Sequence, residues 1–141
     1  MSKSLGNSTT IRDALRRYDA PTIRLYLSLT QYRKPIHFKQ SDLKRAAKLS
    51  RQIRNGLEDL SKAMEKHHGK ETTTSLEAMI SQFEDQFAKA MDDDFDSPVA
   101  VRRIVDFIER LRSLRLRGHC RQDLSTAIES LKKLSRILGS L

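Results

Sequence analysis

Leu43, Ala46, Ser50, Ile53, Leu57, Leu60 and Met64 follow one another at alternating steps of three and four residues. That spacing puts all seven on one side of an α-helix but scatters them over both faces of a strand. It predicts a helix from Asp42 to His67, capped by Ser41, and excludes a sheet for this stretch. A long helix with one narrow seam of small and apolar side chains cannot bury that seam alone. The rest of the chain must therefore supply partner helices.

Three further segments carry the same period. Leu76, Met79, Ile80, Phe83, Phe87 and Met91 predict a helix starting near Ser75. Val101, Ile104, Val105, Ile108, Leu111 and Leu114 predict another from Pro98 to Arg117, with Asp96 or Ser97 as N-cap and Gly118 as C-cap. Leu124, Ile128, Leu131, Leu134 and Leu138 form a last helix after Asp123. With no strand pattern anywhere, the fold class is all-α: an antiparallel helical bundle in which the last three helices pack up and down against the long one. Gly56 weakens the long helix by about 1 kcal/mol relative to Ala, which suggests a close helix contact there. The 141 residues suffice for one core, divided as residues 1–40 ahead of the bundle and 41–141 forming it.

The leading residues are organised differently. Thr10 and Asp13 fit a capping box, with Ile11, Ala14, Leu15 and Tyr18 expected as a core stripe and Arg12 and Arg16 on the opposite face. Asp19 caps a second helix with Pro21 in its first turn, and Ile23, Leu25, Tyr26, Leu27 and Leu29 predict that it is well buried. Tyr32-Arg33-Lys34-Pro35 ends that pattern with two cations beside a ring, either a phosphate contact or a solvated connector. His68 to Ser75 reads as a polar loop.

Charge narrows the function. Residues 1–70 hold 16 Lys/Arg against 6 Asp/Glu, whereas residues 71–141 hold 11 against 12. A first half this basic points to a polyanion such as nucleic acid. Lys44, Lys48, Arg51 and Lys62, with Asn55 and Glu58 between them, form a stripe opposite the seam, suited to a sugar-phosphate backbone or else a solvated face. Near the start, Ser2, Lys3 and Ser4 sit beside Gly6, a composition that fits a phosphate-binding loop or an ordinary flexible terminus.

Other chemistries are excluded. Asp92, Asp94 and Asp96 alternate as in a calcium loop, but Ser97 and Arg103 stand where the required Gly and Glu would be. His37, His67, His68 and His119 are scattered and His119-Cys120 has no second ligand pair, so no metal site is expected. The single Cys120 permits no internal disulfide. No window approaches the roughly 18 apolar residues that span a bilayer, and no signal peptide is evident, so a cytoplasmic protein without a membrane partner is expected, as a monomer.

Four ordered motifs carry a resemblance to the C-terminal region of the cysteinyl-tRNA synthetase family, a class I aminoacyl-tRNA synthetase. Met1 to Ser4 resembles the last four residues of the KMSKS signature, continued by Leu5-Gly6-Asn7. Thr10 to Tyr18 (TIRDALRRY) is similar to the helix that follows it, and Thr30 to Phe38 (TQYRKPIHF) to the family's T-x-Y-R-x-P segment. Met91 to Pro98 (MDDDFDSP) resembles the M-D-D-D-F-N-T-P turn, with Asp96 and Ser97 in place of Asn and Thr.

The resemblance implies a part of an enzyme that activates cysteine with ATP and transfers it to tRNA(Cys). Lys3 would meet the ATP phosphates with Ser2 and Ser4 supporting the loop. Arg12, Arg16, Arg33, Lys34, Lys44, Lys48, Arg51 and Lys62 would meet the tRNA. It also implies that the nucleotide-binding fold, the HIGH signature and a zinc-bound cysteine pocket lie upstream, with zinc confined to that missing catalytic domain, which becomes a partner of this part. A truncated piece or natural fragment, inactive alone, is the corresponding expectation. The alternatives are a stand-alone helical interaction module, or a paralogue of a cysteine-activating ligase that does not bind tRNA.

Overall fold

The computed structural model describes residues 10–66, 74–114 and 121–140. Its helices are α1 (Ile11–Leu15), α2 (Ala20–Ser28), α3 (Gln40–Lys66), α4 (Thr74–Asp92), α5 (Ser97–Ser113) and α6 (Arg121–Ile137). No strand occurs among the described residues.

Local chemistry sets several of these ends. Thr10 and Asp13 form the reciprocal capping box, and Asp19 accepts from the Thr22 amide ahead of Pro21. The choice between Asp96 and Ser97 resolves to Asp96, whose carboxylate accepts from the Val99 N–H. At the end of α6, Gly139 adopts φ 62°, its N–H donates to the Arg136 carbonyl and that of Ser140 donates to the Ser135 carbonyl. These two bonds make a Schellman stop. Some boundaries differ from the sequence reading. α3 begins at Gln40, with Ser41 inside it, because backbone bonds to Lys39 start the turn earlier. α5 ends at Ser113, with Leu114 extended, and α6 begins at Arg121, which places Asp123 in its first turn and buries it. The expected C-cap Gly118 lies outside the described residues.

The seam of α3 is buried as its spacing requires, from Leu43 through Leu60, with Met64 half-buried against the core. It meets α5 and α6, and α4 packs on the same two helices from the other side. Chain direction follows from the cross-contacts. Gln52 bonds Glu109 and Asp59 pairs with Arg112, so α3 and α5 run parallel. Phe83 stacks on Phe107 at 4.1 Å and Gln82 accepts from Arg110, while the turn at residues 93–96 joins the other ends, so α4 and α5 are antiparallel. Glu84 accepts from Ser130, and Met91 and Ile137 line one cleft, so α4 and α6 are parallel. The directions alternate along the sequence as expected, but α3 and α4, consecutive in the chain, are diagonal, and their described backbones do not pack directly on each other.

Gly56 explains the fit of the parallel pair. A Cβ added there would come within 2.5 Å of Ile108 Cγ2, so the helices approach where the side chain is missing. α2 lies across α3 and α5 and contributes Leu25, fully buried, to the main core. A smaller cluster of Tyr26, Leu43 and Ala46, with Tyr18, Leu29 and Phe38 at its edge, closes the α2 side. Leu27 is half-exposed, so α2 is buried on one face only.

α1 departs furthest from expectation. Ala14 is its only buried residue, whereas Ile11 is 69% exposed and Leu15 49% exposed. Among the described helices this five-residue helix contacts only α2, which is too little to cover both.

Candidate nucleic-acid interface

The stripe on α3 is real in space. Lys44, Lys48, Arg51 and Lys62 are all exposed and share the side of the helix opposite the buried seam. Lys62 lies 3.8 Å from Glu58, a solvated pair worth a fraction of 1 kcal/mol. Arg51 leans back on the Ala47 carbonyl at 3.4 Å. Lys44 and Lys48 have no ion-pair partner among the described residues. The stripe therefore presents its charge chiefly at the N-terminal half of α3.

The arginines of α1 divide. Arg16 lies 3.5 Å from Asp13, and Arg12 is exposed without a partner among the described residues. Asp13 is held below the usual carboxylate range first by the Thr10 hydroxyl and more weakly by Arg16, so its charge persists into acid. Arg17, which the sequence reading passed over, joins Arg16 at the rim of a cleft of about 290 Å³ walled by Tyr18, Phe38 and Leu43. Its only sequence signal was adjacency to Arg16.

Arg33 and Lys34 separate most clearly. Arg33 grips Asp94 with two bonds, Nε to Oδ2 at 2.6 Å and Nη2 to Oδ1 at 2.8 Å. The Tyr32 hydroxyl donates to the same carboxylate at 2.8 Å, and the guanidinium sits 5.0 Å from the Tyr32 ring centre. Arg33 and then Tyr32 pull Asp94 below its ordinary range, and Asp94 in return raises both partners. Asp94 and Phe95 are both left-handed, at φ 50° and 54°, which is uncommon for Asp and a genuine outlier for Phe. The turn thus holds the carboxylate out toward residues 32 and 33. The connector motif is a clamp on the α4–α5 turn, and Arg33 has its charge already matched; exposed Lys34 has no ion-pair partner among the described residues.

A second strap fixes α2. Asp19 pairs with Arg54 of α3, and its carboxyl is lowered to about 2 by the Thr22 bond and by Arg54. Ser2, Lys3 and Ser4 lie outside the described residues, as do His67, His68, His119 and Cys120. No group of three metal-ligating side chains occurs among the described residues, and no described helix is long and apolar enough to cross a membrane.

Two family models match parts of the chain. Residues 1–48 match the family described as tRNA synthetases class I (C) catalytic domain, and residues 86–141 match the DALR domain. Along its whole length the chain is 33% identical to a cysteine–tRNA ligase of Shewanella oneidensis, 35% to that of Shewanella piezotolerans and 36% to that of Klebsiella pneumoniae. It spans 28% of the length of each.

Proposed function

The chain belongs to the cysteine–tRNA ligase family, and from that premise we propose that it is the part of such an enzyme that carries the KMSKS loop and a helical tRNA-binding surface. The complete enzyme in this reading activates cysteine with ATP and transfers it to tRNA(Cys), in the cytoplasm. Lys3 supplies an ammonium on a flexible stem where phosphate charge develops, the kind of stabilisation that acts directly on a barrier. Ser2 and Ser4 support that loop. The 141 residues alone do not aminoacylate.

The observation that carries the reading is the exposed cationic face formed by Lys44, Lys48 and Arg51, none of which has an ion-pair partner among the described residues. Its residues fall about one helical turn apart, so several phosphates of one strand are met together. Arg12, Arg16 and Lys34 extend it; Arg33 contributes by bracing the α4–α5 turn. The exposed Ile11 and Leu15, inside the stretch that matches a catalytic-domain family, support a second contact in which α1 packs on the catalytic domain of the same enzyme.

Filter binding of a tRNA(Cys) transcript tests the RNA contact. Affinity should fall steeply with salt, and reversing Lys44, Lys48 and Arg51 to Glu should abolish measurable binding. Retained binding in that triple variant would sink the reading.

A further inference from the structure

The seam between α3 and α5 changes character along its length. Toward the C-terminal ends it is matched: Asp59 pairs with Arg112 at 2.9 Å, and Gln52 bonds Glu109 at 2.8 Å. At the N-terminal ends the corresponding positions are Arg45 and Arg102, two cations on one cleft of about 340 Å³. Both are exposed, and neither has an ion-pair partner among the described residues. Asp94 is held by Arg33 and Tyr32, Asp96 accepts from the Val99 amide and Asp106 pairs with Arg103, while Asp42, three residues before Arg45, accepts from Ser41 and forms no ion pair with Arg45. Two guanidiniums facing one cleft repel each other unless an anion lies between them.

The floor of the cleft is apolar, made by Leu29, Leu49, Val101 and Val105 with Pro98 at its edge. A bare phosphate would use the arginines and leave the floor wet. An unstacked nucleotide uses both, with its base against the aliphatic floor and its phosphate across the two forks. The position also suits a strand already on the stripe, because Arg45 adjoins Lys44 and lies less than one turn from Lys48.

We propose that the Arg45–Arg102 cleft takes one unstacked nucleotide of the bound RNA. This rests on the reading that α3 faces RNA, and two measurements separate the claims. In the first, labelled tRNA(Cys) transcript is titrated by anisotropy with the full chain and with R45Q/R102Q. The double variant should bind about tenfold or more weakly, with a salt dependence shallower by about 1, because the two forks share one phosphate. In the second, methyl NMR follows Leu49, Val101 and Val105 during titration with uridine 5′-monophosphate, uridine and poly-L-glutamate. The monophosphate should shift these methyls in the parent chain and not in R45Q/R102Q, and uridine should leave them unmoved. Unchanged tRNA affinity in the double variant overturns the cleft, as do methyls unmoved by millimolar monophosphate or moved as strongly by poly-L-glutamate. Absence of tRNA binding by the parent chain, with the methyl shifts present, removes the reading of α3 and leaves the nucleotide cleft standing.

Discussion

The bundle of α3 to α6 and the leading segment through residue 38 are held by different forces. In the bundle, Ile53, Leu76, Ile104, Leu111, Leu124 and Leu131 are almost wholly removed from water. Burial of each side chain contributes about 1.5–3 kcal/mol, and neither salt nor pH reaches it directly. The leading segment has one well-buried helix face on α2, and otherwise relies on Asp19–Arg54 and the Arg33–Tyr32–Asp94 clamp, all partly exposed. Exposed ion pairs typically contribute 0–1 kcal/mol and weaken in salt. Stability therefore resides in one region, while many of the charges able to meet a polyanion are borne by the other and by the outer face of α3.

The contrast is broken most directly by truncation. Leu131→Ala should destabilise the chain by about 2–5 kcal/mol in urea denaturation, whereas Ile11→Ala should stay within about 0.5 kcal/mol. Equal losses would mean that α1 is packed after all. Gly56→Ala comes next. The added methyl favours the helix by about 1 kcal/mol, but Ile108 Cγ2 belongs to a β-branched side chain that is only 1% exposed and cannot swing aside. Overpacking of about 1–3 kcal/mol should offset that gain or exceed it, giving a net loss of about 0–2 kcal/mol by the same assay.

Asp19 sharpens the comparison through pH. Its folded pKa of about 2 lies below its model-peptide value of 3.8, so its contribution is complete above 3.8 and disappears as pH falls through 2. Solvent screening at this half-exposed site reduces that contribution to about 1 kcal/mol. Asp19→Asn keeps a competent N-cap and removes the charge. The stability gap between parent and variant, measured by denaturant midpoint, should be open at neutral pH and close toward pH 2. The smallest effect belongs to Asp94→Asn. It should leave the melting temperature unchanged within error and speed amide exchange at Arg33 and Lys34, reporting release of the clamp without loss of the bundle.

Much of this was legible in the sequence because apolar periodicity is a local signal. The seam of α3, the faces of α4 to α6 and the caps at Thr10 and Asp19 were each readable within a few neighbouring residues, while the α5 cap was narrowed only to Asp96 or Ser97. Phe107 was passed over because Val105 and Ile108 already accounted for its turn, yet it stacks on Phe83 in the core. The stripe of α1 misled for a physical reason: amphipathic spacing states which residues share a face, not whether anything covers it. Likewise the clamp and the Arg45–Arg102 cleft join residues from separate helices and turns, and charges carry no period by which they announce a distant partner. Of the proposed RNA contacts, Lys44, Lys48, Arg51 and Lys62 were found as a helical stripe; Arg33 was found as a cation, but its engagement with Asp94 needed the fold.

The diagonal placement of α3 and α4 bears on how the chain reaches its native state. Helices joined in sequence normally close first, because a short loop is the least entropic cost to pairing. Here the α3 and α4 backbones do not pack directly among the described residues, so the early local pairs should be α2 with α3 and α4 with α5, each an antiparallel hairpin. The parallel contacts, such as Gln52 with Glu109 and Glu84 with Ser130, must then form between segments distant in sequence. Substitutions at the parallel seam should accelerate unfolding more than they slow folding, and those between α4 and α5 should do the reverse. The two hairpins thus form ahead of their docking on each other and on α6, with the close approach at Gly56 among the last contacts to form.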